Sequence, residues 1–168
     1  MDADELKRYI CDTFDGVWAV ENSGDWFFLY DPDQDLPPER QFPFATLVTG
    51  DRHDTVSRLD GPGAYRINIG LTRATYTATF GPAPTRRDAA YVLETGYDYA
   101  AADTLMPHPI YGSQHWVCVV NPGEATSETV RTLLAEAHAF AARKHANHEA
   151  RRKPGQDAAG QVSSRTTS

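Results

Sequence analysis

The clearest apolar run in the chain, His115-Trp116-Val117-Cys118-Val119-Val120, is cut off by Asn121-Pro122-Gly123, and a pattern of a different period starts directly after it. The run has the length and β-branched content of a strand, and the Pro-Gly pair cannot extend it. Thr126 or Ser127 then stands ahead of Val130, Leu133, Leu134, Ala137, His138 and Ala141, which is the spacing of a capped helix with one apolar face. A chain that changes from strand to helix within a few residues has to combine both in one fold.

The same change occurs upstream. Leu6, Ile10 and Phe14 recur at helical spacing behind the acidic start Asp2, Asp4 and Glu5, so residues 3–14 read as an opening helix that Gly16 ends. Val17 to Glu21 and Trp26 to Tyr30 flank Asn22-Ser23-Gly24-Asp25, the signature of a hairpin. Asp31 to Pro38 is too rich in Asp and Pro to continue a strand and reads as a surface loop. Strand character resumes at Phe44 to Thr49. It returns at Ala64 to Gly70, where Tyr65, Ile67 and Ile69 alternate with Arg66 and Asn68, giving one apolar and one polar face. Thr72 caps a second helix that Gly81-Pro82 stops. Residues 83–110 show no clean period and are expected to hold a short strand or helical turn. The order predicts an α+β domain, an antiparallel sheet of about five strands packed on N-terminal, middle and C-terminal helices.

At 168 residues and 40% hydrophobic content the chain can build one core. Residues 1–148 read as that domain. From residue 149 the sequence turns to Arg151-Arg152-Lys153-Pro154-Gly155 and then to Gly, Gln, Ser and Thr, so 149–168 is expected to be a disordered basic and polar tail. No apolar run reaches the ~20 residues of a membrane span, and the acidic start lacks the order of a signal peptide, which points to a cytoplasmic protein. Cys11 and Cys118, both within apolar patterns, are expected to be two buried free thiols. Up to residue 142 the chain carries 10 Lys and Arg against 21 Asp and Glu, whereas residues 143–168 carry 6 against 2. An acidic body repels a phosphate backbone and argues against nucleic acid as its partner.

Three stretches, Phe42-Pro43-Phe44-Ala45, Tyr65-Arg66-Ile67-Asn68-Ile69-Gly70-Leu71-Thr72, and Pro107 through Trp116-Val117 into a capped helix, look like the MmcQ/YjbR proteins. The order of these motifs is most similar to an actinobacterial domain family of unknown function that itself resembles MmcQ/YjbR, over about residues 3–145. The resemblance implies a CyaY-like fold. It also implies a double-wing shape, for which MmcQ/YjbR proteins have been regarded as DNA binders, and some of them lie among antibiotic-biosynthesis genes. The strand around Arg66 departs from a DNA-binding surface in having Asp51, Asp54 and Asp60 for company.

Candidate site residues fall in three groups. Arg66 and Asn68 on a polar sheet face, with Tyr111, His115 and Trp116 on an aromatic loop, suit a small polar or anionic aromatic ligand, and equally suit an ordinary polar face beside core rings. His108 and His115, seven apart on a bent loop, offer acid-base chemistry if they converge. Asp51, His53 and Asp54 form a second carboxylate-imidazole group on a charged turn. No metal spacing, phosphate loop or nucleophile elbow is present, so neither a metal nor a cofactor is expected. The leading expectation is a small-molecule-binding or accessory domain of MmcQ/YjbR type. The alternatives are a double-wing nucleic-acid binder and an enzyme that uses a histidine of the 108–115 loop as general base.

The tail expectation is directly testable. Ordering a residue costs roughly 1–2 kcal/mol, and Val162 is the one large aliphatic side chain after residue 149 to repay it. A chain ending at His148 should melt cooperatively within a few degrees of the full chain. A midpoint lowered by roughly 10 °C or more means that the tail docks on the body.

Overall fold

The chain enters its first helix through a reciprocal cap. Asp2 accepts from the Glu5 backbone N–H and Glu5 accepts from the Asp2 N–H, each at 2.8 Å, which satisfies two amide donors that a helix start leaves free. The computed structural model describes residues 1–163 of the backbone and, within the last helix, side chains as far as Arg152. Helix α1 (Ala3–Thr13) buries Leu6 and Ile10. Strands β1 (Val17–Asn22) and β2 (Asp25–Tyr30) then form the expected hairpin, turning at Ser23 and Gly24, both at positive φ. Strands β3 (Ala45–Val48) and β4 (Arg66–Gly70) follow, then helix α2 (Arg73–Phe80), capped by Thr72 Oγ1. Strands β5 (Met106–Pro107) and β6 (Trp116–Val120) precede helix α3 (Ser127–Ser163).

All six strands form one antiparallel sheet in the order β1-β2-β3-β4-β6-β5. The α+β class is as the periodicity indicated, with six strands where about five were expected. The sixth is β5, two residues long and containing a proline, and it falls within the 83–110 stretch where a short strand or helical turn was expected. It pairs with Cys118 and Val117 at the edge of the sheet, where a residue without an N–H is tolerated.

Strand alternation sorts side chains onto two faces. Leu47, Ile67, Ile69, Val117 and Val119 join Leu6 and Ile10 of α1 and Val130, Leu134 and Ala137 of α3 in the main core. The opposite face is covered at one end by the β3–β4 loop, which packs Leu59 on Val48 and Val120, and at the other by the segment before β5, which packs Val92 and Tyr99 on Met106 and Cys118. Of the two free thiols Cys118 is buried and Cys11 is exposed, a correction to the expectation for both. One residue beyond Ile10 a helix has rotated out of its buried stripe. The expected tail of 149–168 falls largely beyond the described side chains, and residues 164–168 lie outside the described residues altogether.

The start of α3 departs from the reading of Thr126 or Ser127 as a side-chain cap. The Asp103 carboxylate accepts from the backbone N–H groups of Gly123, Ala125 and Thr126 and from the Thr126 hydroxyl, and so performs the capping from another part of the chain. The Thr126 hydroxyl bond, ahead of the backbone ones, holds the Asp103 carboxyl below its ordinary pKa. A group depressed on folding stabilises above its unfolded pKa, and the contribution is lost as pH falls through the folded one. Asp103→Asn should therefore lower Tm at neutral pH, and the difference from the parent should shrink as the medium is acidified through the carboxylate range. Melting curves of both proteins across that range provide the check, and a difference constant with pH would contradict the assignment.

Candidate functional site

Register places a polar row across the uncovered middle of the sheet. Thr46 faces Asn68 and Asn68 faces Cys118, while Val48, Arg66 and Val120 form the next row and Gly70 with Trp116 the row on the other side. Between the two covering loops these residues floor a cleft of about 1040 Å³. It continues past the ends of β2, β4 and β6 to Ala137, Phe140, Ala141, Lys144 and His145 of α3.

The floor is built on a buried guanidinium. Arg66 and Asp54 have side chains 1% and 9% exposed, and their two-pronged ion pair has N···O distances of 3.1 and 2.9 Å. Arg66 Nη1 also donates to Ser57 Oγ at 2.7 Å and Nε to Asn68 Oδ1 at 2.9 Å. Asn68 in turn donates to Thr46 Oγ1 at 2.9 Å, tying β4 to β3. A charge this deep is tolerated only when its hydrogens are met in the plane of the guanidinium, and the fork geometry of Arg supplies that match.

His108 closes the floor from the β5–β6 side. Its Nδ1 accepts from the backbone N–H groups of Ile110 at 3.0 Å and Tyr111 at 2.9 Å, which shapes the 3-10 turn Tyr111–Gln114. Its Nε2 lies 3.4 Å from Arg66 Nη2. Burial first, then the neighbouring positive charge of Arg66, holds its pKa well below the ordinary histidine range. The Tyr111 ring packs over it at 5.0 Å.

Of the residues singled out in the sequence, Arg66, Asn68, Tyr111, Trp116, His108 and His53 all line this cleft. His115 does not. It adopts a left-handed backbone (φ 70°) at the end of the 3-10 turn and places its ring against Tyr76 at 5.5 Å, beside a separate cavity of about 370 Å³ with Arg73 and Thr77. His108 and His115 thus do not converge. The left-handed backbone of His115 itself turns its ring away, and sequence spacing carries no sign of it. The Asp51, His53 and Asp54 group also separates. Asp51 accepts from the Leu59 N–H, His53 Nε2 meets Asp25 Oδ2 at 3.0 Å, and Asp54 serves Arg66.

Several lining residues were not anticipated. Phe42 and Tyr91, together with the anticipated Tyr111 and with Tyr97, are the large hydrophobic side chains left exposed among the described residues, and Phe42, Tyr91 and Tyr111 stand in the cleft wall. Arg87 holds the wall in shape by donating to Ile110 O and Ser113 Oγ, each at 2.9 Å, while its guanidinium covers the Tyr91 ring. Lys144 lies over Phe140, with Nζ 4.2 Å from the ring centre, and desolvation lowers its pKa from the usual lysine range. Asp25, which the sequence reading passed over, is 1% exposed and gathers the Thr49 N–H, Arg52 and His53 at one corner. Gly70 is needed for close approach, since a Cβ there would stand 3.0 Å from the Trp116 ring. No cluster of three or more His, Cys, Asp or Glu side chains able to hold a metal ion occurs among the described residues.

A family model described as a family of unknown function, DUF6194, matches residues 1–150. No curated protein and no solved structure matches.

Breaking the Arg66–Asp54 pair leaves a buried charge unmet, which costs about 3–5 kcal/mol. Asp54→Asn should therefore be strongly destabilised in urea unfolding. The double variant Asp54→Asn with Arg66→Met should recover part of the loss, because it removes the orphaned charge. Equal stability of Asp54→Asn and the parent would show that the pair is not formed in solution.

Proposed function

The chain belongs to the DUF6194 family, and since that membership brings no assigned activity, we propose from the cleft itself that the domain binds a small anionic molecule with a flat apolar body. The observation that carries the reading is the charge of the lining. In a chain of net charge -7, the one carboxylate in the cleft wall among the described residues is Asp54, already tied to Arg66. Arg40 and Lys144 line the same cleft and have no ion-pair partner among the described residues. A concave site of one sign with low-dielectric walls concentrates ligands of the opposite sign.

The apolar body follows from the rings at the mouth. An exposed cluster of large side chains is informative where a scattered one is not, and the exposed Phe42, Tyr91 and Tyr111 line the same cleft as Trp116. A pocket of this kind fixes its ligand by a few polar groups and gains affinity from apolar contact. The motifs that resemble MmcQ/YjbR proteins supply Phe42, Pro43, Phe44, Arg66, Asn68, Gly70, Leu71 and Trp116 to this lining. That placement supports a small-molecule-binding or accessory role of MmcQ/YjbR type. The free cations lie inside a cleft of small-molecule size, which favours such a ligand over a nucleic-acid backbone. No helix among the described residues is long and apolar enough to cross a membrane.

The test compares benzoate and phenyl phosphate with benzamide and benzylamine by thermal shift. A ligand at one hundred times its Kd stabilises by about 2.7 kcal/mol, which for a domain of this size raises Tm by roughly 5–10 °C. The anions should raise Tm and the amine should not, and the shift should fall with added salt. Lys144→Glu, which inverts one of the two cationic charges of the lining without an ion-pair partner among the described residues, should weaken the anions selectively. Equal responses to the anion and the amine would sink the reading.

A further inference from the structure

His108 Nδ1 accepts two backbone N–H groups, so that nitrogen carries a lone pair and no proton. The neutral imidazole then bears its hydrogen on Nε2 and is a donor there. The hydrogen-bonding contact that Nε2 makes among the described residues is with Arg66 Nη2 at 3.4 Å, and a guanidinium nitrogen has only hydrogens to offer. The Arg66 hydrogens can be counted. Nε–H goes to Asn68, the two on Nη1 go to Asp54 and Ser57, and one on Nη2 goes to Asp54. The fifth is directed toward His108. Both N–H groups therefore lack an acceptor among the described residues. Their nitrogens are 3.4 Å apart, so one oxygen could meet both only from the side of the line that joins them, and both side chains, 3% and 1% exposed, line the cleft.

Buried donors in native proteins are met by an acceptor, and an unmet one is costly. Within the anionic-ligand reading on which this rests, we propose that His108 Nε2 and Arg66 Nη2 form a seat for one oxygen of the ligand's oxyanion, a carboxylate or a phosphate group, with the apolar body extending toward Trp116 and the rings of the mouth. His108 acts as a neutral, fixed donor and not as a general base, because its one lone pair is engaged by the Ile110 and Tyr111 amides. Burial and the Arg66 charge keep the ring neutral and so keep the donor in place. Ligand contact at Nε2 would also be felt by the 3-10 turn that Nδ1 organises, and Tyr111 stands on that turn.

The test is nitrogen-15 NMR of the imidazole rings in the full chain, with inorganic phosphate, benzoate and phenyl phosphate as probes. Without a probe, His108 should show the Nε2–H tautomer, unchanged between about pH 5 and 8, where an ordinary histidine titrates. A protonated Nδ1 or a charged ring in that range overturns the proposal. On titration with benzoate or phenyl phosphate, the Nε2 nitrogen and its hydrogen should shift downfield in saturable fashion together with the Trp116 indole and Lys144 signals. The probe giving the larger shift at Nε2 distinguishes a carboxylate from a phosphate ligand. Shifts at Trp116 and Lys144 with His108 Nε2 unmoved would remove the seat and leave the anionic-ligand reading standing. No saturable response at any of the three sites to any probe would remove both. His108→Phe should weaken the better probe roughly tenfold or more, as loss of a hydrogen bond to a charged group does. The wild-type spectra decide the matter even if that variant folds poorly.

Discussion

A guanidinium at the centre of a sheet organises much of this molecule. Arg66 sits where a strand residue would ordinarily face either solvent or core. Its burial is tolerated because Asp54, Ser57 and Asn68 are brought to it from the loop before β4 and from β4 itself. Each partner has a structural consequence. Asp54 draws the β3–β4 loop over one end of the sheet, and Asn68 passes the network to Thr46 on β3. The polar floor and the loops that border it are thus parts of one hydrogen-bonded arrangement. Buried ion pairs seldom add net stability over an apolar replacement. The pair here is better understood through the β3–β4 loop and the polar floor that it holds together.

The second organising fact is an inversion of charge between the surface and the concave site. Most of the excess carboxylates lie elsewhere, several committed to local work: Asp2 and Glu5 at a helix start, Asp31 at a turn, Asp103 at the base of α3. What remains in the cleft is cationic and aromatic. A body with an excess of carboxylates repels polyanions, while a small anion can be drawn into a short-range field of the opposite sign.

The sequence revealed elements well where a period or a cap was unbroken. Leu6 with Ile10, the Asn22 to Asp25 turn, the alternation around Arg66 and the stop at Asn121-Pro122-Gly123 each correspond to a structural boundary. It failed where structure depends on partners far along the chain. Nothing next to Asp103 marks it as the cap of a helix more than twenty residues away, and Pro107 argues against the strand in which it lies. The site shows the same division. Arg66, Asn68 and Trp116 were visible as an alternating face and an aromatic loop, but Lys144, Phe42 and Tyr91 reach the cleft only through tertiary packing. His115 was grouped with its neighbours by proximity in sequence, and its left-handed backbone sends the ring elsewhere.

Gly70 gives the sheet an influence over the cleft that loops do not share. The Trp116 indole occupies the space where any larger residue at position 70 would place its first carbon, and the same indole is a wall of the cleft. A methyl group there would press on the ring and displace it by a few tenths of an ångström. Because protein interiors are close-packed, such a shift is passed on and not absorbed. The bore of the site is therefore written into one backbone position of a central strand, so a change of ligand size would be accessible through a single substitution outside the polar network.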